Sequence, residues 1–170
     1  MRLLSLAAGA ICATLVLGSA AHAQQPAPPT LPPPAPTYGS PITLDQAKKV
    51  VAAAVAEAKA RPYLCVFAVV DPSGSLVYFE KMDSAPYSSV EIAIGKARTS
   101  AIFKRPTIGF FDQMESGHNY VVTLPPGIVA SGGGVPLVVD GKIIGAVGVS
   151  GSPNGLIDQQ SAQAGAEALK

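Results

Sequence analysis

Tryptophan is absent from the 170 residues, and five tyrosines with five phenylalanines supply all the aromatic surface. That is too little for a platform on which nucleic-acid bases stack. Charge is equally scarce: 14% of residues carry one, and twelve basic against eleven acidic side chains leave a formal +1. Neither nucleic acid nor an anionic membrane surface finds the basic surplus it requires. Cysteine and histidine number two each, and Cys12 and His22 both lie in the first 23 residues. What remains is Cys65 and His118, which excludes an internal disulfide and a Cys/His zinc site within one subunit. There is no Cys-x-x-Cys-His, so c-type haem attachment is excluded as well. Hydrophobic residues, at 48%, are abundant enough for a packed core.

The apolar residues are unevenly organised. Arg2, the uncharged run Leu3–Leu17 and then Ala21-His22-Ala23 follow the order of a secretory signal peptide. The run falls short of the ~20 residues a membrane span needs. Ile11 before Cys12 speaks against a lipoprotein signal. Cleavage after Ala23 would deliver a chain beginning at Gln24 to the periplasm or the exterior, with net charge zero once Arg2 is gone. Eight of the sixteen prolines then fall between Pro26 and Pro41, so residues 24–41 read as an extended tether. Residues 42–170 read as one domain.

Within it, Thr43-Leu44-Asp45-Gln46 is a capping box stapled by Ile42, and apolar residues at Ala47, Val50, Val51, Ala54, Val55 and Ala58 predict a helix ended by Arg61-Pro62. Leu64–Val70 is apolar throughout, a strand covered on both faces, with Cys65 as a small buried hydrophobe. After the Asp71-Pro72-Ser73-Gly74 turn, Leu76–Met82 reads as its hairpin partner. Ser88-Ser89-Val90-Glu91 predicts a second capped helix to Phe103, with Lys96, Arg98, Lys104 and Arg105 in its cation-favouring half. Residues 107–117 read as loop with room for a short helical turn, Tyr120–Leu124 as a short strand, and 125–134 as a loop. Val135–Val139, Asp140-Gly141 and Lys142–Ser150 predict a type I′ hairpin. Gly145 and Gly148 in its second strand imply close approach of another backbone. A last helix runs from about Asp158 to Leu169. Strands joined by hairpins imply an α+β fold with an antiparallel sheet.

These residues resemble the GlcG/HbpS-type family, a domain also found at the C-terminus of PduO-type proteins. The matching runs are Ile42–Leu44, Glu91–Thr99, Gly133–Gly141 and Ile144–Gly151, with Asp158 and Ala164-Gly165 beyond. Gly155-Leu156-Ile157 departs from the pattern, since polar or acidic residues usually stand there. The resemblance implies a profilin-like five-stranded antiparallel sheet between helical layers. It also implies binding of haem or a related tetrapyrrole, here non-covalent haem b, for storage, buffering or sensing. Symmetric homo-oligomers, octamers among them, and a sensor protein as partner are part of what it implies.

A haem site needs an apolar slot, an axial donor, and cations or amides for the propionates. His118, in the polar run Ser116–Asn119, is the candidate iron ligand; Met114 and Thr107 are further donors, threonine being a donor in the family. Lys104 and Arg105 are candidate propionate partners, and Gly132, Gly133 and Gly134 offer consecutive amides for a carboxylate. Against each stands a plainer reading: a solvated loop histidine, a packed methionine, a post-helix turn, a solvated basic pair and a flexible hairpin entry. Ser150 lacks a G-x-S-x-G setting, which argues against a serine hydrolase, and Asp112 and Glu115 read as solvated carboxylates. Two other classes stay open: a lyase- or isomerase-like enzyme acting on a small carboxylate through His118 and the glycine-rich loop, and a structural or sensor-interaction oligomer without a ligand.

Overall fold

The structure, a computed structural model, describes residues 33–170; the signal-like segment and the first half of the tether lie outside the described residues. The first helix, α1 (Leu44–Lys59), begins where its capping box places it. Thr43 Oγ1 accepts from Gln46 N at 3.2 Å, and Gln46 Oε1 accepts from Thr43 N at 3.0 Å. The six apolar positions of its repeat are the ones it buries.

The central strand of the sheet is β5 (Lys142–Ser150). Along one edge it pairs antiparallel with β4 (Gly134–Val139), through the Asp140-Gly141 turn in which both residues have positive φ, 49° and 72°. Its other edge takes β2 (Val66–Val70), antiparallel, from Ala146 to Ser150. The outermost strand, β3 (Leu76–Lys81), pairs with β2. The fifth strand is not the expected one. Tyr120–Leu124 lies in a 3-10 turn, Asn119–Thr123, which buries only Val121. Instead β1 (Thr37–Tyr38), from the end of the proline-rich stretch, pairs parallel with Lys142 and Ile143. The sheet is therefore mixed rather than wholly antiparallel. Tyr38 fixes β1 by donating to the carbonyls of Ala101 and Ile102 at 3.0 and 3.1 Å.

Alternation divides β2 between two faces. Phe67 and Val69 join Leu137, Val147 and Val149 under α1 and α4 (Gly155–Glu167), the larger core. Val66, Ala68 and Val70 meet α2 (Ser88–Phe103) on the other side, with Ala93, Ala97, Ala101 and Ala146. This second interface is built of small side chains, so α2 sits close to the strands. Gly148 shows how close: a Cβ there would strike Ala93 O and lie 2.7 Å from Ala97 N.

Two helix starts differ from expectation. No side chain caps α2; Tyr87 stands at its start, and the backbone turns in through Ser89 N to Pro86 O and Val90 N to Tyr87 O. On α4, Asn154 is the cap, accepting from Leu156 N at 2.8 Å, and the helix begins three residues earlier than Asp158. Residues 107–117, expected as loop with at most a short helical turn, contain the eight-residue helix α3 (Ile108–Glu115). It has no repeat because it buries one residue, Phe110, edge-on to Phe103 at 5.3 Å. No helix among the described residues is long and apolar enough to cross a membrane.

Candidate functional site

One expected donor, Thr107, meets the glycine amides at the start of α3, where its side chain binds the local backbone together. Thr107 is fully buried. Its hydroxyl donates to Ser131 O at 2.6 Å and accepts from Gly134 N at 2.8 Å, while its own N–H reaches Gly134 O at 2.9 Å. A hydroxyl so engaged, without surface, is not presented to an iron; Thr107 is the joint between α3 and the glycine-rich loop.

That joint, with its neighbours, also takes two of the three amides of the expected anion nest. Gly134 N is held by Thr107, and Gly133 N donates to Gln159 Oε1 at 2.8 Å. Gly133 has φ +122°, and a Cβ on it would come within 3.0 Å of Lys96 Nζ and 2.9 Å of Asp158 Cβ. Its amide and that of Gly134 are thus spent on the fold. Beneath the loop, Lys96 Nζ lies 2.8 Å from Asp158 Oδ2 and donates to Val149 O at 3.1 Å. Asp158 Oδ1 accepts from Ser152 N at 3.1 Å. Lys96, expected among dipole-favouring cations, is instead sealed beneath the loop at 2% exposure.

Cys65 lies close enough to feel this pair. Burial pushes its thiol from 9.0 up to about 11, and the Asp158 carboxylate adds to the rise, against smaller opposing effects of Lys96 and the Ser152 amide. A thiol so protonated is no nucleophile at neutral pH.

The two cations expected to act together point apart. Lys104, at φ +55°, lays its ammonium over the Tyr38 ring at 4.1 Å. Arg105 stacks on Phe110 at 3.6 Å and donates to Gln113 Oε1 at 3.1 Å. Burial lowers its pKa from the ordinary value, with Tyr120 acting the other way. They do not form a paired clamp for propionates.

Two hollows flank α3. One, of about 300 Å³, is lined by Asp112, Gln113, Ser116, His118 and Tyr120. His118 is exposed there, its ring edge-on to Tyr120 at 6.3 Å. Met114, half-buried, lines neither hollow. The second is a cleft of about 340 Å³ between Ile108 and Phe111 of α3, the Ser131-Gly132 backbone, and Pro153–Leu156 at the start of α4. Four other hollows carry an ionisable side chain, among them Asp140, Asp112, Arg98 and Lys170; this cleft carries none. Phe111 and Leu156 are 41% and 56% exposed at its mouth.

Sequence reasoning missed Ile108, Phe111 and Leu156, because the cleft assembles from three separated segments. It also missed the Lys96–Asp158 pair, for which a signal existed. Lys96 falls on the repeat of Ala93, Ala97 and Ser100, the buried stripe of α2.

Comparison with known proteins agrees with this architecture. A family model described as "Haem degrading protein HbpS-like" matches residues 42–167. Protein GlcG of Escherichia coli K12 is 38% identical over 109 residues, covering 64% of this chain and 81% of that protein. A crystal structure of a Streptomyces reticuli HbpS variant superposes with a TM-score of 0.71 at 30% identity, over 84% of this chain and 99% of the other. A PduOC:heme complex superposes at 0.69 with 28% identity, over 76% and 96%.

Proposed function

Since this chain belongs to the HbpS-like family, we propose that it is an exported, small-molecule-binding protein whose ligand is haem b or a related tetrapyrrole, held non-covalently on the α3 side of the fold. The observation that carries this reading is the uncharged cleft with Phe111 and Leu156 at its mouth, beside a hollow with an exposed imidazole. Pockets for flat, largely apolar ligands have this composition. The residues fit the group in part: Ile108, Phe111 and Leu156 would hold apolar macrocycle, and His118 would supply the donor. Bound haem would bring an iron able to bind or activate small ligands. The family resemblance and the haem complex of a structural neighbour support the same ligand. Export rests on the Arg2 to Ala23 pattern, and we extend the proposal to a homo-oligomer that buffers haem or reports it to a sensor.

Titration of hemin into the chain from Gln24 onward, followed in the Soret region, tests the reading. Saturable binding with a Soret band that shifts in His118→Ala is expected. Absence of saturable binding overturns it. The family description favours a second activity, haem breakdown; loss of the Soret band on adding a reductant under dioxygen, faster than for free hemin, would reveal it. Mass spectrometry of exported protein should find Gln24 at the N-terminus, and light scattering should find more than one copy per particle.

A further inference from the structure

Gly95, Arg98, Thr99 and Ile102 stand at i, i+3, i+4 and i+7 on α2 and so share one face of it. The loop 126–129 lies along that face, and a cleft of about 440 Å³ is left between them. Two contacts hold the loop in place. Val129 N donates to Thr99 Oγ1 at 3.1 Å, and Val129 fills the space that Gly95 leaves open, where a Cβ would lie 2.7 Å from its Cγ2. Arg98 is the one ionisable side chain of the lining. Its stem packs at Gly74, in the turn between β2 and β3, and its Nε donates to Gly74 O at 3.1 Å, which restrains the guanidinium. Hydrogen bonds and ion pairs among the described residues give its two Nη atoms no acceptor. Nor do they give one to Ile128 N–H or to the hydroxyl proton of Thr99, itself 2% exposed. Ile102, Ile128 and Val129 make the rest of the lining apolar.

We infer that this cleft is a second binding site, for a small monocarboxylate with an apolar tail: Arg98 takes the carboxylate, and Ile102, Ile128 and Val129 cover the tail. The site is independent of the haem reading, since it shares no residue with the two hollows beside α3. An arginine held through Nε keeps its two Nη groups side by side, a fork that matches the two oxygens of a carboxylate. No acidic side chain of the lining competes for that fork. A tail laid against Ile102, which is 37% exposed, removes apolar surface from water. A second carboxylate at the far end of the ligand gains nothing. It would meet the same apolar side chains and the carbonyls of Pro126, Gly127 and Ile128, which accept no hydrogen bond among the described residues.

The test follows backbone amide shifts by NMR in the isotope-labelled chain from Gln24 onward, titrated with hexanoate, hexan-1-ol and adipate. The three probes share one chain length and differ in charge. Saturable shifts centred on residues 95–102 and 126–129 are expected, with hexanoate bound about tenfold or more tightly than either of the others. Arg98→Gln should erase the advantage over hexan-1-ol. Ile128→Asp, which sets a carboxylate at the cleft without touching α2, should weaken hexanoate about tenfold and keeps the test alive where Arg98→Gln disturbs the fold. Lys48→Gln, which removes an exposed charge on α1, should leave hexanoate binding as it was. Equal binding of hexanoate and hexan-1-ol overturns the inference. So does hexanoate affinity that both cleft variants leave unchanged, or that Lys48→Gln lowers equally. Hexanoate should also stay bound in excess hemin; its displacement would assign Arg98 to a haem propionate and overturn a separate site. Absence of saturable hexanoate binding overturns the inference and leaves the haem reading intact.

Discussion

Lys96 Nζ and Asp158 Oδ2 stand 2.8 Å apart under the glycine-rich loop, with side-chain exposures of 2% and 4%. The pair ties α2, on one face of the sheet, to the first turn of α4, whose residues form one wall of the cleft. Lys96→Met would leave the Asp158 carboxylate sealed without a cation, and should lower the unfolding free energy by about 3–5 kcal/mol. Lys96→Met combined with Asp158→Leu removes both charges and should recover most of that loss. Urea denaturation of the three proteins decides; a double variant as unstable as Lys96→Met would show that a stranded charge is not the cause.

Thr107 ties the opposite wall. Thr107→Val keeps the shape but strands Gly134 N–H and frees Ser131 O, at a cost of about 1–3 kcal/mol. Thr107→Ser keeps the hydroxyl and should be the milder change. Chemical denaturation midpoints would contradict the account if the serine variant were as weak as the valine one.

Gly148 is where α2 comes nearest the sheet. Gly148→Val places branched carbons against Ala93 O and Ala97 N, an overpacking of roughly 1–3 kcal/mol or more. Val147→Ala removes two methyl groups from the other face and should cost less if the gap partly closes. Denaturant midpoints in the reverse order would mean that α2 is free to move away.

The Cys65 thiol, pushed from 9.0 to about 11 mainly by burial, makes stability depend on pH at the alkaline end. Between those values the unfolded thiol ionises while the folded one keeps its proton. Stability should therefore be complete below pH 9 and decline as pH rises toward 11. Cys65→Ala should flatten that part of the curve, and alkylation of the parent by iodoacetamide at pH 8 should proceed only as fast as the protein opens. Rapid alkylation of native protein would contradict the burial.

What was legible in the sequence is what local chemistry determines. The Thr43–Gln46 box, the uninterrupted β2 and the Asp140-Gly141 turn each encode their geometry within a few residues, and the glycine at 148 announced a close neighbour. What stayed hidden depends on distant partners. α3 is held by Phe110 against Phe103 and by Thr107 against Gly134, contacts that no local repeat records. β1 is a strand only because β5 offers an edge and α2 offers two carbonyls to Tyr38. The site followed the same division. His118 could be singled out as the one imidazole beyond residue 23, whereas Thr107, Gly133 and Gly134 looked available in sequence and are spent on one another and on Gln159. The cleft draws on residues from Ile108 to Leu156 and has no local signature.

The central claim is that the α3 side of the domain holds a tetrapyrrole, and hydrogen–deuterium exchange with and without hemin tests it most directly. The account predicts slowed exchange in residues 106–120 and 152–158 on hemin addition, with the hollow around 39–46 and 139–144 unchanged. Saturable hemin binding with protection confined to that second region, or with none in 106–120, would contradict it.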